Sequence, residues 1–137
     1  MSFNVVNKFQ LKLLEILANC SQIRKNNIRV YFSITQDSQY PFILVKMLQI
    51  ENLSKFTLET YRLSFEICIF TRSRNLSQAL AITDEIHQTL QVNNCHFDQY
   101  LVIGIKSPAV NFTDSNDLRV SKTSMNYQAT VRKSKKL

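Results

Sequence analysis

Residues 61–69 read Tyr61-Arg62-Leu63-Ser64-Phe65-Glu66-Ile67-Cys68-Ile69. The odd positions are all apolar or aromatic, and the even ones carry Arg62, Ser64, Glu66 and Cys68. Successive side chains of an extended chain point to opposite faces, so this pattern predicts a strand with one dry face and one wet face. Wound as a helix, the same apolar residues would scatter around the cylinder. A dry sheet face needs cover, and the sequence on either side supplies it.

Upstream, Val6, Phe9, Leu13, Ile16 and Leu17 recur at three- and four-residue spacing, which predicts an amphipathic helix over 5–19. Lys8, Lys12 and Glu15 fall on its other side, and Asn4 is placed to act as its N-cap. Downstream, Ala79, Ile82, Ile86 and Leu90 form the stripe of a second helix over 76–92, with Leu76 and Leu80 beside it. Asn75 and Gln78 have capping-box spacing, and Asn93-Asn94 is suited to ending that helix in a left-handed turn. With Gly104 the chain's one glycine, Asn must carry much of the turn chemistry, and Asn26-Asn27 marks another turn.

Further strands are expected over 28–33, 42–50, 100–106 and 120–132. Phe42-Ile43-Leu44-Val45 is apolar on both faces, which implies cover on both sides by helices or by a neighbouring subunit. Pro41 cannot donate to a ladder and suits the start of that strand. Met125, Tyr127, Ala129 and Val131 alternate with polar residues in the last strand, and 113–117 reads as a turn-rich loop before it. The predicted order is α-β-β-β-α-β-β: an α+β fold of one domain, with a mixed, mostly antiparallel sheet and two helices packed on one face.

At 137 residues, 45% hydrophobic and 20% charged, the chain has ordinary globular usage and the length of one domain. Its net charge is +7, but Arg132, Lys133, Lys135 and Lys136 supply four of those charges, leaving a mildly basic body. The division expected is a domain over 1–132 and a basic tail over 133–137. Such a tail reads first as a solvated terminus and second as a contact for nucleic acid or an acidic partner. Cys20, Cys68 and Cys95 are odd in number and lack a C-x-x-C pair, which argues against a disulfide framework or zinc site. With no signal-like start and no apolar run of about eighteen residues, a reducing cytoplasm fits best and no membrane is implied.

Motifs that carry chemistry are wanting. One glycine cannot build phosphate-cradling loops of the G-x-x-x-x-G-K-[ST] or G-x-G-x-x-G kind. Cys95-His96 is an adjacent thiol–imidazole pair without an orienting partner, and adjacency rarely gives nucleophile–base geometry. Asp84, Glu85 and His87 share a helix, but no second His stands four residues on, and a polar helix face accounts for them. No catalytic residue, metal site or cofactor is expected.

The order of elements, with several local patterns, resembles the tail-completion or tail-terminator family of long-tailed phages, prophages and gene transfer agents. The matching pieces are the amphipathic helix over 7–20, then Arg29-Val30-Tyr31, then Tyr40-Pro41-Phe42-Ile43-Leu44-Val45. Phe70-Thr71-Arg72-Ser73 follows at the end of the alternating strand, then Ala79-Leu80-Ala81, and finally Asp114-Ser115-Asn116-Asp117-Leu118-Arg119 between the closing strands. The likeness covers about 5–132. Family members are often rich in Gly and Ala, where this chain has Asn, Ser, Lys and Ile.

The resemblance implies a structural protein. Its partners would be further copies in a ring, usually of six, the tail tube protein and the head–tail connector protein. DNA would pass only as cargo. Assembly would take place in the cytoplasm, and the ring would end in the particle's tail. A connector or stopper role, or a small basic nucleic-acid-binding module, is the alternative. The strand pair over 42–70 with its loop, 51–58, is the expected interface. Arg62, Glu66, Arg72, Arg74, Lys133, Lys135 and Lys136 are the expected interaction residues.

Overall fold

The computed structural model describes residues 3–33, 39–54, 58–72, 76–92, 96–114 and 120–134. The elements run α1 (Val5–Ala18), α2 (Ser21–Lys25), β1 (Arg29–Tyr31), β2 (Phe42–Asn52), β3 (Thr60–Thr71), α3 (Ser77–Val92), β4 (His96–Phe97), β5 (Tyr100–Asp114) and β6 (Ser121–Lys133). All six strands belong to one sheet, in the order β1-β2-β3-β6-β5-β4, which curls into a half-barrel. Only β1 and β2 pair in parallel; the other neighbours are antiparallel. The expected α+β architecture is present, with two short additions, α2 and β4.

The alternating segment is the middle of the sheet. Tyr61, Leu63, Phe65, Ile67 and Ile69 are fully buried, as are Met125, Ala129 and Val131 on the neighbouring β6. The helices cover this face through a run of rings. Phe9 of α1 meets Phe65 edge-on at 5.3 Å and Phe97 of β4 at 5.5 Å. Phe65 stacks on Tyr127 at 5.4 Å, and Tyr127 stacks on His87 of α3 at 6.2 Å. Offset and edge-on contacts of this kind add to the stabilisation from buried apolar area.

Polar contacts fix the smaller pieces. Glu85 of α3 accepts hydrogen bonds from the Ser21 hydroxyl and, at 2.7 Å, from the Gln22 amide, so a carboxylate from another helix caps α2. Burial pushes the Glu85 carboxyl up, but the bonds from the Ser21 hydroxyl and from the Gln22 and Ser21 amides outweigh it and hold its pKa below the ordinary value. Asn27 stands at φ 51° and Asp98 at φ 52°, in the left-handed region that Asn and Asp tolerate better than other side chains. Asp98 turns the chain between β4 and β5, and its carboxylate takes an ion pair from Lys8 of α1 at 2.5 Å.

Several expectations change. Asn4 is at the N-cap position, but its side chain makes no capping bond, because its own backbone is already helical (φ −62°, ψ −16°). Val5 is fully buried whereas Val6 is half-buried, so the α1 stripe is turned slightly from the expected one. The strand expected over 100–106 runs on to Asp114, through Pro108, with register irregularities at 102/104 and 106/109. Proline is accepted in an edge strand or bulge, where its missing N–H costs no ladder bond. The expected caps at Asn75, Asn93 and Asn94 lie outside the described residues.

The doubly apolar run needs no neighbouring subunit. Phe42, Ile43, Leu44 and Val45 are all buried within this chain. On the face away from the helices, Phe42 is enclosed by Phe70 at 4.8 Å, Tyr40 at 5.1 Å and Tyr31 at 5.7 Å.

Candidate assembly surfaces

The sheet face opposite the helices is polar along its middle. Pairing places Lys46, Glu66 and Asn126 in one row, and Gln49, Ser64, Gln128 and Lys106 in another. A hollow of about 460 Å³ opens here, bordered by Leu48, Ser64, Lys106 and Asn126 among others. Arg62, farther along β3, pairs with Glu51 of β2 at 3.5 Å. Glu66 accepts the Ser124 hydroxyl. Partial burial is the largest single influence on Glu66 and pushes its pKa up. The Ser124 and Cys68 hydrogen bonds, with Lys122 and Lys46 nearby, outweigh it and leave the pKa lowered. Burial drives the Cys68 thiol to about 11, with Glu66 adding to the effect, so this thiol stays protonated and unreactive. The alternation had placed Cys68 on the wet face; it is fully buried, in one row with Leu44 and Ser124.

The expected interaction residues do not form one cluster. Arg62 and Glu66 share the open face. Arg72 lies beyond one end of β3, with its guanidinium 4.7 Å from the centre of the Tyr40 ring. Lys133 ends β6 at the other end of the sheet, opposite Tyr100 and 3.9 Å from Glu59. Arg74, Lys135 and Lys136 lie outside the described residues.

No convergent chemistry is found among the described residues. They contain no group of three or more His, Cys, Asp or Glu placed to hold a metal ion. Glu85 turns to α2, while Asp84 and His87 border a groove of about 320 Å³ between α3 and β5, with Ser107 and Val110 opposite. His87 Nδ1 is 3.4 Å from the Tyr127 hydroxyl, whose pKa burial raises to about 12. His96 is exposed on β4, and Cys95 lies outside the described residues. Tyr61, Phe65 and Tyr127 are buried beneath the helices, so none of them offers the open aromatic platform that base stacking requires. Among the described residues, no helix is long and apolar enough to cross a membrane.

Comparison with solved structures places this fold. It matches a chain in the virion of the native gene transfer agent (GTA) particle. The match covers 96% of this chain and 99% of that one, with a TM-score of 0.75 and 12% identity. At that identity the likeness is one of fold. No family model matches the sequence, and no curated protein does.

Two further surfaces, beyond the strand pair over 42–70, are the margins of the sheet. β1 spans three residues and has β2 on one side only. β5 spans fifteen, and β4 covers its outer edge only at Tyr100 and Leu101. Among the described residues nothing else pairs with either edge. Phe32 beside β1 is 38% exposed, and on β5 Val110 is 38% and Phe112 50% exposed. One signal for the second margin was in the sequence: Val110 and Phe112 continue the alternation past Pro108, beyond the strand expected over 100–106.

Proposed function

We propose that this chain is a non-enzymatic structural subunit of a phage-like particle, acting as a tail terminator. Copies close into a ring, six being the number the resemblance implies. The ring seats on the finished tail tube, prevents further tube subunits from adding, and offers its other face to the head–tail connector protein. DNA passes through as cargo. Assembly takes place in the cytoplasm, with the product carried in the particle's tail, and the folded unit makes the contacts while the basic terminus that follows it stays peripheral.

The observation that carries this reading is the end-to-end likeness to a chain of the gene transfer agent virion, 96% of one chain against 99% of the other. Capping a tube needs two different margins that fit each other around a closed ring and a face that fits the tube end, and neither needs a nucleophile or a metal.

The test is tube growth. The purified chain is added to the polymerising tail-tube protein of its own locus, and tube lengths are measured by electron microscopy. Shorter tubes carrying a cap at one end are expected. Tubes of unchanged length, with the chain left in the supernatant on sedimentation, would overturn the terminator role; binding to the head-side complex instead would favour a connector or stopper.

A further inference from the structure

We propose that copies of this chain join edge to edge, the outer edge of β1 in one copy pairing antiparallel with the far half of β5 in the next. This deepens the ring reading above and rests on it.

The register of the sheet makes the two edges meet at one level. Following the pairings across the strands gives the row Arg29–Phe42–Phe70–Lys122–Thr113. The next two rows run from Val30 to Phe112 and from Tyr31 to Asn111. β1 and residues 111–113 of β5 therefore lie at the same height on opposite margins. Their directions are opposed, because β1 runs with β2 while β5 runs against β6, which in turn runs with β2. A second copy set beside the first, without sliding along the strands, brings β1 next to β5 as an antiparallel pair.

The side chains agree with the backbone. Val30 and Phe112 both belong to the row that passes through buried Ile43, Ile69 and Thr123, and so both point to the helix side. Phe32 lies two residues after Val30 and Val110 two residues before Phe112, so an antiparallel pair brings them together as well. The pairing would set one exposed apolar ladder against the other and remove both from water. At this margin α2 carries Arg24 and Lys25 and β1 begins with Arg29, all exposed, with no acidic residue over 21–31. Next to the far half of β5, exposed Asp84 borders the groove against Val110. Arg24, Lys25 and Arg29 on one margin and Asp84 on the other favour this order of docking.

The rest of β5 is guarded against such contacts. Lys106, Pro108 and both register irregularities fall before Ala109. Lysine, proline and bulges are the devices that keep edge strands from pairing. Residues 109–113 have none of them. Because the two margins differ, the contact is heterologous, and the closing rotation gives a ring rather than a two-fold pair.

The experiment uses the full chain carrying Arg29→Cys and Thr113→Cys, both exposed positions in one row. Opposite residues of an antiparallel pair have Cα atoms about 4.5–5.5 Å apart, inside the range a disulfide spans. Mild oxidation is expected to give a ladder of cross-linked multimers on a non-reducing gel, ending at the ring. Arg29→Cys with Leu101→Cys, which puts the second thiol at the other end of β5, is expected to give none. Phe112→Lys, with its folding checked by circular dichroism, is expected to reduce the light-scattering mass to that of a monomer. A multimeric parent that yields no ladder and stays multimeric as Phe112→Lys would overturn the edge pairing and leave the ring in place. A parent that remains a monomer both alone and on tail tubes would overturn the ring and the pairing together.

Discussion

Phe65 and Arg62 stand three residues apart on one strand and differ in almost everything that decides stability. Phe65 is fully buried between the Phe9 and Tyr127 rings, and truncating it leaves a hole that three elements cannot close. Phe65→Ala is expected to cost about 3–5 kcal/mol in urea unfolding. Arg62→Ala is expected to cost less than about 1 kcal/mol, because its ion pair with Glu51 is more than one-third exposed on both sides. Equal losses from the two would refute this division of the faces. Glu66 adds a pH dependence. Its folded pKa lies below the ordinary glutamate value of 4.5, so its contribution is present above that pH and is lost as pH falls through the lowered value. Glu66→Gln is expected to unfold with a shallower loss of urea midpoint between neutral pH and the acid range than the parent. An unchanged slope would show that the Ser124 and lysine contacts do not favour the charged form. Residues such as Phe65 were legible because periodicity reports direction. Cys68 was not, because periodicity says nothing about what covers a face, and here the Phe42–Phe70 end of the open face is sealed by aromatic rings brought in from β1 and the turn before β2.

Elements were legible in proportion to how many periods they contain. α1, α3 and β3 span three turns or more, or six alternations, and the sequence pattern located each within a residue or two. α2 has five residues and β4 two, too few for any periodicity to register; both are held by contacts from distant parts of the chain, Glu85 on α2 and the Phe9 ring against Phe97 of β4. β5 failed for another reason. The strand expected over 100–106 stops short of Pro108, yet β5 runs through that residue, which an edge paired along one side for most of its length can accommodate. The same reasoning assigns Lys106 and Pro108 a protective role, since an unpaired edge of this length is a template for unwanted strands. Lys106→Val with Pro108→Val is expected to keep the helical and strand content of the parent while increasing aggregation, read as light scattering during incubation near the unfolding midpoint. A double variant as soluble as the parent would mean that the bulges alone guard the edge.

At the scale of the whole molecule, the basic charge and the passage of DNA have to be reconciled. A chain of net charge +7 that gripped DNA would hinder the cargo that the proposed ring must let through. The location of the charge eases this conflict. Lys133 belongs to the folded unit: its amide donates to the Glu59 carbonyl at 2.8 Å, and the Ser134 amide donates to the Gln99 carbonyl at 2.7 Å. A truncation that spares the fold therefore begins at Lys135, and it removes two positive charges. Each phosphate neutralised contributes about 0.9 to the slope of log affinity against log salt on duplex DNA. If the basic terminus makes the chain's DNA contacts, ending the chain at Ser134 is expected to lower that slope by about two and to abolish binding near physiological salt. A slope unchanged by truncation would move the contact onto the folded body, where Lys46, Arg62, Lys106 and Lys122 share the open sheet face. That face would then line the DNA path, and the ring would have to be oriented with its helices outward.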